Sequence, residues 1–337
     1  MKNSTFPTEI PSLLRNLLTL LAAHRPAFRQ ERTYQRAVAL VFGELFSFAR
    51  HTVTQALLAL GLTDADWSAW YRLFSRPRFV EETLANCLLA ETLAHAPADQ
   101  PYVVVPDGVQ LPRSSRTMPG TSWLKAPRTP VFRVGIHRAQ RFVHGAWLTP
   151  LEEGYSRAIP LRFVPAFPEK AVPAETPPCR EWTAGLQFVS WVRQQLDRLG
   201  RAGQTILLLA DGRYDVLDFW QGLPDRTVAA IRCAKNRVLY ELPIRRPGPG
   251  RPPQYGPRAP TPAAWLRQRQ GFRTTTVTVR GRPRRMRYRV EGPYLRDGNP
   301  NQPLVLLVVG GQTYWVGKRQ PKRKYRKPAF YLLSAVP

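Results

Sequence analysis

Two short apolar segments, each followed by an Asp-Gly pair, constrain the fold of this chain more than any other feature. Tyr102–Val105 is a β-branched run that stops at Pro106-Asp107-Gly108, and Thr205–Ala210 is almost continuously apolar and stops at Asp211-Gly212. An apolar run that does not alternate with polar residues is typical of a strand buried on both faces. Because such strands need helices on both sides of the sheet, the two segments predict an α/β fold.

The residues around these two segments have helical and strand patterns in the order that an α/β layer requires. The Thr183–Leu199 segment is strongly amphipathic, with apolar residues at helical spacing along one side. The further predicted elements are strands at Val131–Ile136 and Arg141–Leu148, a proline-rich irregular stretch at Ala158–Pro178, a short helix at Val216–Gln221 and a strand at Val228–Ile231.

Asp107 and Asp211 are the strongest candidates for catalytic chemistry. Each closes a predicted core strand, and ligands of open α/β sheets bind at the carboxyl ends of the strands. Two carboxylates on adjacent strands could hold Mg²⁺, which prefers oxygen ligands and could act on a phosphodiester. The alternative interpretation is that both Asp-Gly pairs are plain turns, since Asp-Gly is a common turn signal.

The net charge predicts a polyanionic partner. The chain of 337 residues has 50 Lys and Arg against 23 Asp and Glu, a formal charge of +27. Residues 1–231 account for +6 and residues 232–337 for +21. Nucleic acid is the expected partner and an anionic membrane surface the second choice, while an arginine-rich and proline-rich composition could also come in part from a GC-rich genome.

The first 97 residues are predicted to be helical. Helical spacing covers Ser12–His24, Tyr34–Ala49, Val53–Leu60 and Glu81–His95, and Thr63-Asp64 offers a cap for a further helix. Within this region Phe46–Leu62 resembles a helix-turn-helix, in which the second helix would present polar side chains to DNA. The predicted DNA contacts are Arg50, His51, Thr52 and Thr54. An ordinary helical hairpin with a solvated polar face is the alternative.

The last third of the chain combines positive charge with short strands. Arg245–Pro262 is low in complexity and is predicted not to contribute to a core. Strands are predicted at Thr274–Val279, Arg284–Val290, Leu304–Val309, Thr313–Gly317 and Ala329–Leu333. The predicted nucleic-acid contacts here are Arg284, Arg285, Arg287, Lys322, Arg323, Lys324, Arg326 and Lys327. The run that begins at Lys322 could instead be a solvated tail.

Several other functions are disfavoured by the sequence. No apolar run approaches the roughly 20 residues that span a bilayer. The three cysteines, Cys87, Cys179 and Cys233, are odd in number and widely spaced, which predicts neither a disulfide scaffold nor a zinc site and fits the cytoplasm. His137 and His144 lack acidic or cysteine neighbours at metal-ligand spacing, so packed or solvated side chains are expected.

Four segments carry a resemblance to a known family: VVVPDGVQLPRSSRTMPGTSWLKAPRTP (103–130), GIHRAQRFVHGAWLTPLEEG (135–154), ILLLADGRYDVLDFWQGLP (206–224) and VTVRGRPRRMRYRVEGPYLR (277–296). Together with HTVTQALLALGLTDADWSAWYRLFSRPRF (51–79), they resemble bacterial insertion-sequence transposases of the DDE type, in the group whose catalytic core carries a β-rich insertion. The resemblance spans nearly the whole chain and depends on the order of elements rather than on one short motif.

The resemblance implies an RNase H-like core in which two aspartates and a glutamate bind two Mg²⁺ ions, with Mn²⁺ as a substitute. Asp107 matches the first acid and Asp211 the second. The implied domains are a helical DNA-binding domain at 1–97, the first part of the catalytic core at 98–244 and a basic β-rich insertion at 245–337. The implied partners are double-stranded DNA, as transposon ends and target, and a second copy of the chain in a synaptic homodimer.

The third acid of the family is expected on a helix that follows the insertion, and the sequence ends at Pro337 before such a helix. Glu241 precedes the insertion, and Glu291 at the end of a predicted strand is a weak candidate expected to be structural. The sequence therefore predicts a transposase that is incomplete as it stands. A non-catalytic, transposase-derived DNA-binding protein is the alternative, and an RNA-binding protein is a weaker one that depends on charge alone.

Overall fold

The structure is a computed structural model, and it describes residues 11–115, 117–126, 135–169, 178–244, 251–316 and 322–334. The chain divides into two compact units, Met1–His95 and Ala96–Pro337. None of the helices within the described ranges is long and apolar enough to cross a membrane.

In the described part of the first unit the chain is helical. The helices are α1 (Ser12–Ala23), α2 (Glu31–Phe46), α3 (Val53–Ala59), α4 (Ser68–Ser75) and α5 (Glu81–Leu93). Their core includes Phe28, Leu40, Leu57 and Leu73. A β-carbon on Gly43 would lie 2.7 Å from the β-carbon of Ala56, so glycine lets α2 and α3 approach at their backbones.

The helix that follows the predicted cap at Thr63-Asp64 starts later than expected. It is α4, and the Oδ1 of Asp66 accepts a hydrogen bond from the Ser68 amide at 2.9 Å. The cap prediction was therefore wrong in its position. The N-cap of α4 is Trp67, and Asp66 accepts this bond because its carboxylate stands two residues before an amide that lacks a helical partner.

The second unit begins with a sheet and the helices around it. Its first strands are β1 (Tyr102–Pro112), β2 (Thr121–Lys125), β3 (Ile136–Leu148), β4 (Ala158–Pro165), β5 (Ile206–Ala210) and β6 (Thr227–Arg232), with helices α6 (Glu181–Arg198) and α7 (Leu217–Gln221) beside β5. The strand order is β4-β3-β1-β5-β6, with β2 also paired to β3. The first strands pair antiparallel, whereas β1 with β5 and β5 with β6 pair parallel. The unit is therefore a mixed α/β structure with a large mixed sheet, as the apolar segments predicted.

The prediction of an irregular Ala158–Pro178 stretch was wrong for its first half. Ala158–Pro165 is strand β4, which pairs with β3 and buries Leu161 and Val164. Pro160 and Pro165 are compatible with this position because β4 pairs with only one neighbour, and proline is tolerated in such edge strands. Residues 170–177, and residues 131–134 of the predicted Val131–Ile136 strand, lie outside the described residues.

The last third of the chain continues the same sheet. It contains α8 (Pro262–Arg267), β7 (Arg273–Val279), β8 (Arg282–Arg296), β9 (Asn299–Val309), β10 (Gln312–Val316), β11 (Lys322–Arg326) and β12 (Ala329–Ser334). Strand β12 pairs antiparallel with β6, which extends the sheet through β9 and β8 to β7, while β10 and β11 form a separate two-stranded sheet. Strands β7, β8, β9 and β12 therefore share a sheet with β6, the strand that follows Asp211, and the three-domain division of the chain stays a prediction.

Two segments of this region differ from their predicted character. In the low-complexity segment Arg245–Pro262, residues 245–250 lie outside the described residues, but Ala259 and Pro262 are buried and Tyr240 bridges to Arg258. The run that begins at Lys322 is strand β11, paired with β10, rather than a tail. Gly317, the end of one predicted strand, lies outside the described residues.

Candidate active site

Asp107 lies in the middle of β1, not at its end. The strand continues to Pro112 because β3 pairs with it from Val104 to Pro112, with Asp107 opposite His144. On its other side β1 pairs with β5 only as far as Val104. Asp107 is therefore held in a regular strand, is exposed, and lies three residues beyond the last residue that pairs with β5.

Gly108 is a close-contact glycine rather than a turn glycine. It does not have a positive φ, and a β-carbon built on it would lie 2.3 Å from Oε1 of Glu181 and 2.5 Å from its Cδ. Such distances are far below van der Waals contact, so only glycine leaves room for this carboxylate. The plain-turn interpretation of Asp107-Gly108 was wrong, because a helix and a strand that are distant in sequence meet at this point.

Glu181 is the first residue of α6 and was not identified from the sequence. Its side chain is 11% exposed, and Arg213 Nη1 donates to Oε2 at 3.0 Å and to Oε1 at 3.2 Å. Arg141 Nη1 lies 3.9 Å from Oε2. The N-terminus of a helix favours a carboxylate, and for this reason an acidic residue here looks ordinary in the sequence. Its only sequence signal is its position two residues before the predicted Thr183–Leu199 helix.

Asp211 directly follows β5 and begins a turn. Its Oδ1 accepts a hydrogen bond from the Arg213 amide at 2.9 Å, and its carbonyl accepts one from the Tyr214 amide at 3.2 Å. The turn interpretation therefore describes Asp211 correctly at the level of the backbone. The same turn carries the guanidinium of Arg213 to Glu181, which connects Asp211 to the other acidic side chains.

Tyr214 lies among the three acidic residues. It is fully buried, and its ring packs on α6, where a β-carbon on Gly185 would lie 2.4 Å from Cε1. Burial raises the pKa of its phenol, and the negative charges of Glu181, Asp107 and Asp211 raise it further while Arg213 opposes them. The hydroxyl has no hydrogen-bond partner within the described residues. One buried phenol is thus within electrostatic reach of all three carboxylates.

The two histidines of β3 are packed rather than free. The His144 ring stacks on Phe163 with centroids 4.5 Å apart, and burial lowers its pKa while Asp107 opposes this shift. His137 is hydrogen-bonded through Nε2 to Gln110 at 2.7 Å. These contacts agree with the expectation of packed histidines.

The donor set of Asp107, Glu181 and Asp211 fits a hard divalent cation, because every acidic ligand atom is an oxygen. The space at Gly108, where the Glu181 carboxylate replaces a side chain, and the unpartnered Tyr214 hydroxyl are the features that suit such an ion. Within the described residues, however, no three His, Cys, Asp or Glu side chains are already grouped so that they could hold a metal. Glu181 is bonded to Arg213 instead.

Glu291 lies on β8 and is distant from these acids. Its Oε1 accepts from Arg289 Nε at 2.6 Å. In the sheet order β1-β5-β6-β12-β9-β8, β8 is five strands from β1. At about 4.8 Å per strand this separation is about 24 Å. A metal bound to Asp107 could therefore not reach Glu291. The other acidic residue considered from the sequence, Glu241, is exposed and follows Tyr240, which bridges to Arg258 and Leu295.

The predicted DNA contacts of the helical unit mostly have partners within that unit. His51 Nδ1 lies 2.6 Å from Glu44 Oε2, and Thr54 Oγ1 lies 2.5 Å from the Tyr71 hydroxyl. Thr52 caps α3 by accepting from the Gln55 amide at 3.2 Å. Arg50 is exposed. The sequence signal at these positions is thus explained in part by helix capping.

The predicted contacts in the last third are more accessible. All five residues of β11, Lys322–Arg326, are exposed, as are Arg285 and Lys327. Arg287 lies over the Phe272 ring at 4.1 Å and Arg284 over the Tyr314 ring at 5.1 Å. Stacking on aromatic rings holds these two guanidinium groups in defined directions.

Asp107 thus lies within β1 of a mixed sheet, Asp211 directly follows the neighbouring strand β5, and Glu181 lies beside Gly108. The family described as "DDE superfamily endonuclease" matches residues 21–293. Because the match covers more than half of the chain, the chain belongs to this family, and the predicted relation to DDE transposases is confirmed.

Neither curated proteins nor solved structures add to this family assignment. No curated protein matches the chain. A solved structure, "Crystal structure of the Mos1 mariner paired end complex with Mn", is similar over 65% of this chain and 79% of that chain, with 12% identity and a TM-score of 0.17. A TM-score this low does not relate the two folds.

Proposed function

We propose that this protein is a DNA transposase that cuts and joins the ends of an insertion sequence, with Asp107 and Asp211 as metal ligands. The observation that carries the proposal is the register of β1 and β5. Tyr102 pairs with Ile206 and Val104 with Leu208, a constant offset of 104 residues. Asp107 and Asp211 are separated by the same 104 positions, so Asp107 lies three residues beyond Val104 within β1 and Asp211 lies three residues beyond Leu208, directly after the end of β5.

The strand order supports an RNase H-like core. In the order β4-β3-β1-β5-β6, the three strands that come first along the chain pair antiparallel, and β5 and β6 then pair parallel to β1. Helix α6 connects the two halves and packs on β1, β3 and β4. The resemblance implies this arrangement, in which the two aspartates project from the central strands.

Two divalent cations, Mg²⁺ or Mn²⁺, would supply activation of the attacking oxygen and stabilisation of the leaving oxygen of a phosphodiester. Asp107 would hold them from a strand fixed by β3, and Asp211 from a turn fixed by its own hydrogen bond to the Arg213 amide. The rigid backbone under both carboxylates keeps their positions constant during the reaction. Burial lowers the pKa of His144 while Asp107 opposes this shift, and the lowered pKa disfavours a competing positive charge beside Asp107.

Double-stranded DNA is the proposed substrate, with transposon ends and target as its two forms. Residues 232–337 carry a net charge of +21, and the exposed β11 and the stacked Arg284 and Arg287 present part of it on strands. Such cations bind phosphates without reading the base sequence. Reading of the transposon end is assigned to the helical unit, 1–97, with the core at 98–244 and the insertion at 245–337. We further propose that two copies of the chain form a homodimer in the synaptic complex and that the protein acts in the cytoplasm.

A nicking assay tests the proposal. The full chain is incubated with DNA fragments that carry the sequences flanking its reading frame, with Mg²⁺ or Mn²⁺. Wild type should nick these ends, and Asp107→Asn should lower the rate by about 100-fold or more, the loss expected when metal stabilisation of charge is removed. The exposed Asp99→Asn is the control and should nick like wild type. Equal nicking by wild type and Asp107→Asn would refute the assignment.

A non-catalytic DNA-binding protein is the second candidate. It is favoured by the ion pair between Glu181 and Arg213 and by the absence, within the described residues, of three acids already grouped for a metal. This candidate predicts salt-sensitive DNA binding without cleavage under any divalent cation. Metal-dependent cleavage by the purified chain would exclude it, and a clear preference for duplex RNA over duplex DNA at matched salt would exclude both.

A further inference from the structure

We propose that Glu181 is a third acidic metal ligand of this site, and that Arg213 holds its carboxylate until a divalent cation takes the place of the guanidinium. The proposal rests on the proposed function, because it needs Asp107 and Asp211 as the other ligands. It assigns a role to a residue on α6, between the two aspartates in sequence.

The Glu181 side chain lies against the backbone of β1 next to Asp107. The Glu181 carboxylate lies where a side chain of Gly108 would be, directly beside the residue that follows Asp107. The Glu181 carboxylate is therefore only one residue away, along β1, from Asp107. The present position of the carboxylate depends on the missing side chain at Gly108, whereas the backbone conformation does not call for glycine, since Gly108 lacks a positive φ.

The charges around Glu181 also favour a divalent cation. The three carboxylates carry three negative charges, and Arg141 and Arg213 are the cations that face Glu181 among the described residues. Arg213 is 61% exposed and sits on the turn after Asp211, so its guanidinium can leave toward solvent. Its departure would leave a net charge of −2 among the remaining four groups, the three carboxylates and Arg141, which one divalent cation neutralises. Arg141 at 3.9 Å would remain as a weaker partner.

The buried phenol of Tyr214 is a further feature that favours a bound cation. Tyr214 is fully buried, its hydroxyl has no hydrogen-bond partner within the described residues, and all three carboxylates act on it electrostatically. A polar atom in this state indicates a site that lacks a partner. A hydrated cation held by the surrounding carboxylates would bring such a partner to the hydroxyl.

A purely structural ion pair explains the arrangement less well. Exposed ion pairs contribute little stability, and Arg213 is mostly exposed. Burying the carboxylate of Glu181 has a desolvation cost that one exposed guanidinium offsets poorly. A cation with several oxygen ligands would satisfy the carboxylate much more fully.

Mn²⁺ binding by the full chain tests the proposal without depending on DNA cleavage. The free Mn²⁺ signal in electron paramagnetic resonance gives the affinity of wild type, Asp107→Asn, Glu181→Gln, Arg213→Gln and the exposed control Glu152→Gln. We expect Glu181→Gln to weaken binding by about tenfold or more, as Asp107→Asn does, since a ligand is lost in each. Arg213→Gln should bind several-fold more tightly, because a competing positive charge is removed.

The outcomes are distinct. If Asp107→Asn weakens binding and Glu181→Gln binds like wild type, the role of Glu181 is refuted and the proposed function stands. If Arg213→Gln binds like wild type, the exchange is refuted. If wild type binds no Mn²⁺, both the metal site of the proposed function and this inference fail. Should Glu181→Gln unfold, which circular dichroism would show, Glu181→Asp keeps the charge and should bind more tightly than Asp107→Asn.

Discussion

The carboxylate of Glu181 leaves no room for a β-carbon on Gly108, because its Oε1 lies only 2.3 Å from the position that this β-carbon would take. Glu181 begins α6 and Gly108 lies in β1, so the contact joins the helix to the strand that carries Asp107. A dipeptide that looks like a local turn signal is in fact the place where two distant segments meet. Because of this contact, a side chain added at Gly108 should affect metal binding more than the stability of the fold.

Gly108→Ala should cost little stability but weaken metal binding. The atoms that the new methyl would meet are the end of a flexible side chain, so Glu181 can rotate away at about 1 kcal/mol or less. Gly145→Ala, in contrast, would place its methyl 2.2 Å from the ring of the fully buried Phe188. That ring cannot move without disturbing the core, so we expect a loss of about 3 kcal/mol. Urea denaturation and Mn²⁺ titration measure the two effects.

Gly203→Ala is the control for both variants, because its methyl would meet nothing within 4 Å and its φ is ordinary. It should change the free energy of unfolding by no more than about 0.5 kcal/mol in either direction. If Gly108→Ala binds Mn²⁺ like wild type, the Glu181 carboxylate does not need its present position to serve the metal.

Asp215 is predicted to be the most sensitive ionic group of the second unit. Its side chain is 1% exposed, and it accepts from Arg296 at 2.9 Å and from the Trp220 indole at 3.1 Å, and also bonds Arg237. Asp215→Asn would leave two guanidinium groups without their buried counter-ion, and breaking such a pair costs about 3–5 kcal/mol. Chemical denaturation measures this loss. A change below about 1 kcal/mol, like that expected for an exposed aspartate such as Asp99, would contradict it.

The features that the sequence predicted are those encoded locally. The runs that became β1 and β5, the helix α6 and most strands after Arg273 follow from residues adjacent in the chain. Asp107 and Asp211 could be chosen as a pair because both follow apolar runs. Where β1 ends could not be predicted, because its second half depends on pairing with β3, which lies some thirty residues away in sequence.

The missed features depend on contacts between distant segments. Glu181 looks like an ordinary acidic residue at a helix start, and only its contact with Gly108 distinguishes it. Strand β4 was not predicted because Pro160 and Pro165 indicate irregular structure, although prolines are tolerated in an edge strand such as β4. The pairing of β12 with β6 joins residues about a hundred positions apart, and nothing local predicts that a basic segment extends the central sheet.

The pH dependence of stability should include a contribution from His144. Burial lowers its folded pKa below the ordinary value near 6.5, so the unfolded chain binds more protons between the two values. Stability from this group is therefore present above pH 6.5 and is lost as the pH falls toward the folded pKa. Denaturation of wild type and His144→Gln at pH 7.5 and pH 5.5 tests this. Wild type should lose more stability than the variant, and an equal loss in both would contradict the prediction.

Strand β11 should contribute charge to DNA binding without reading sequence. Lys322 and Lys324 are exposed on the same face of this strand, so replacing both with glutamine should leave the fold intact. If both contact phosphates, the slope of log affinity against log salt should fall by about two units, because each contact releases about one counterion. Affinity should decrease equally for unrelated duplexes. Arg157→Gln/Arg198→Gln removes the same charge from other exposed positions and should leave the slope unchanged, whereas a matching decrease would mean that only total charge matters.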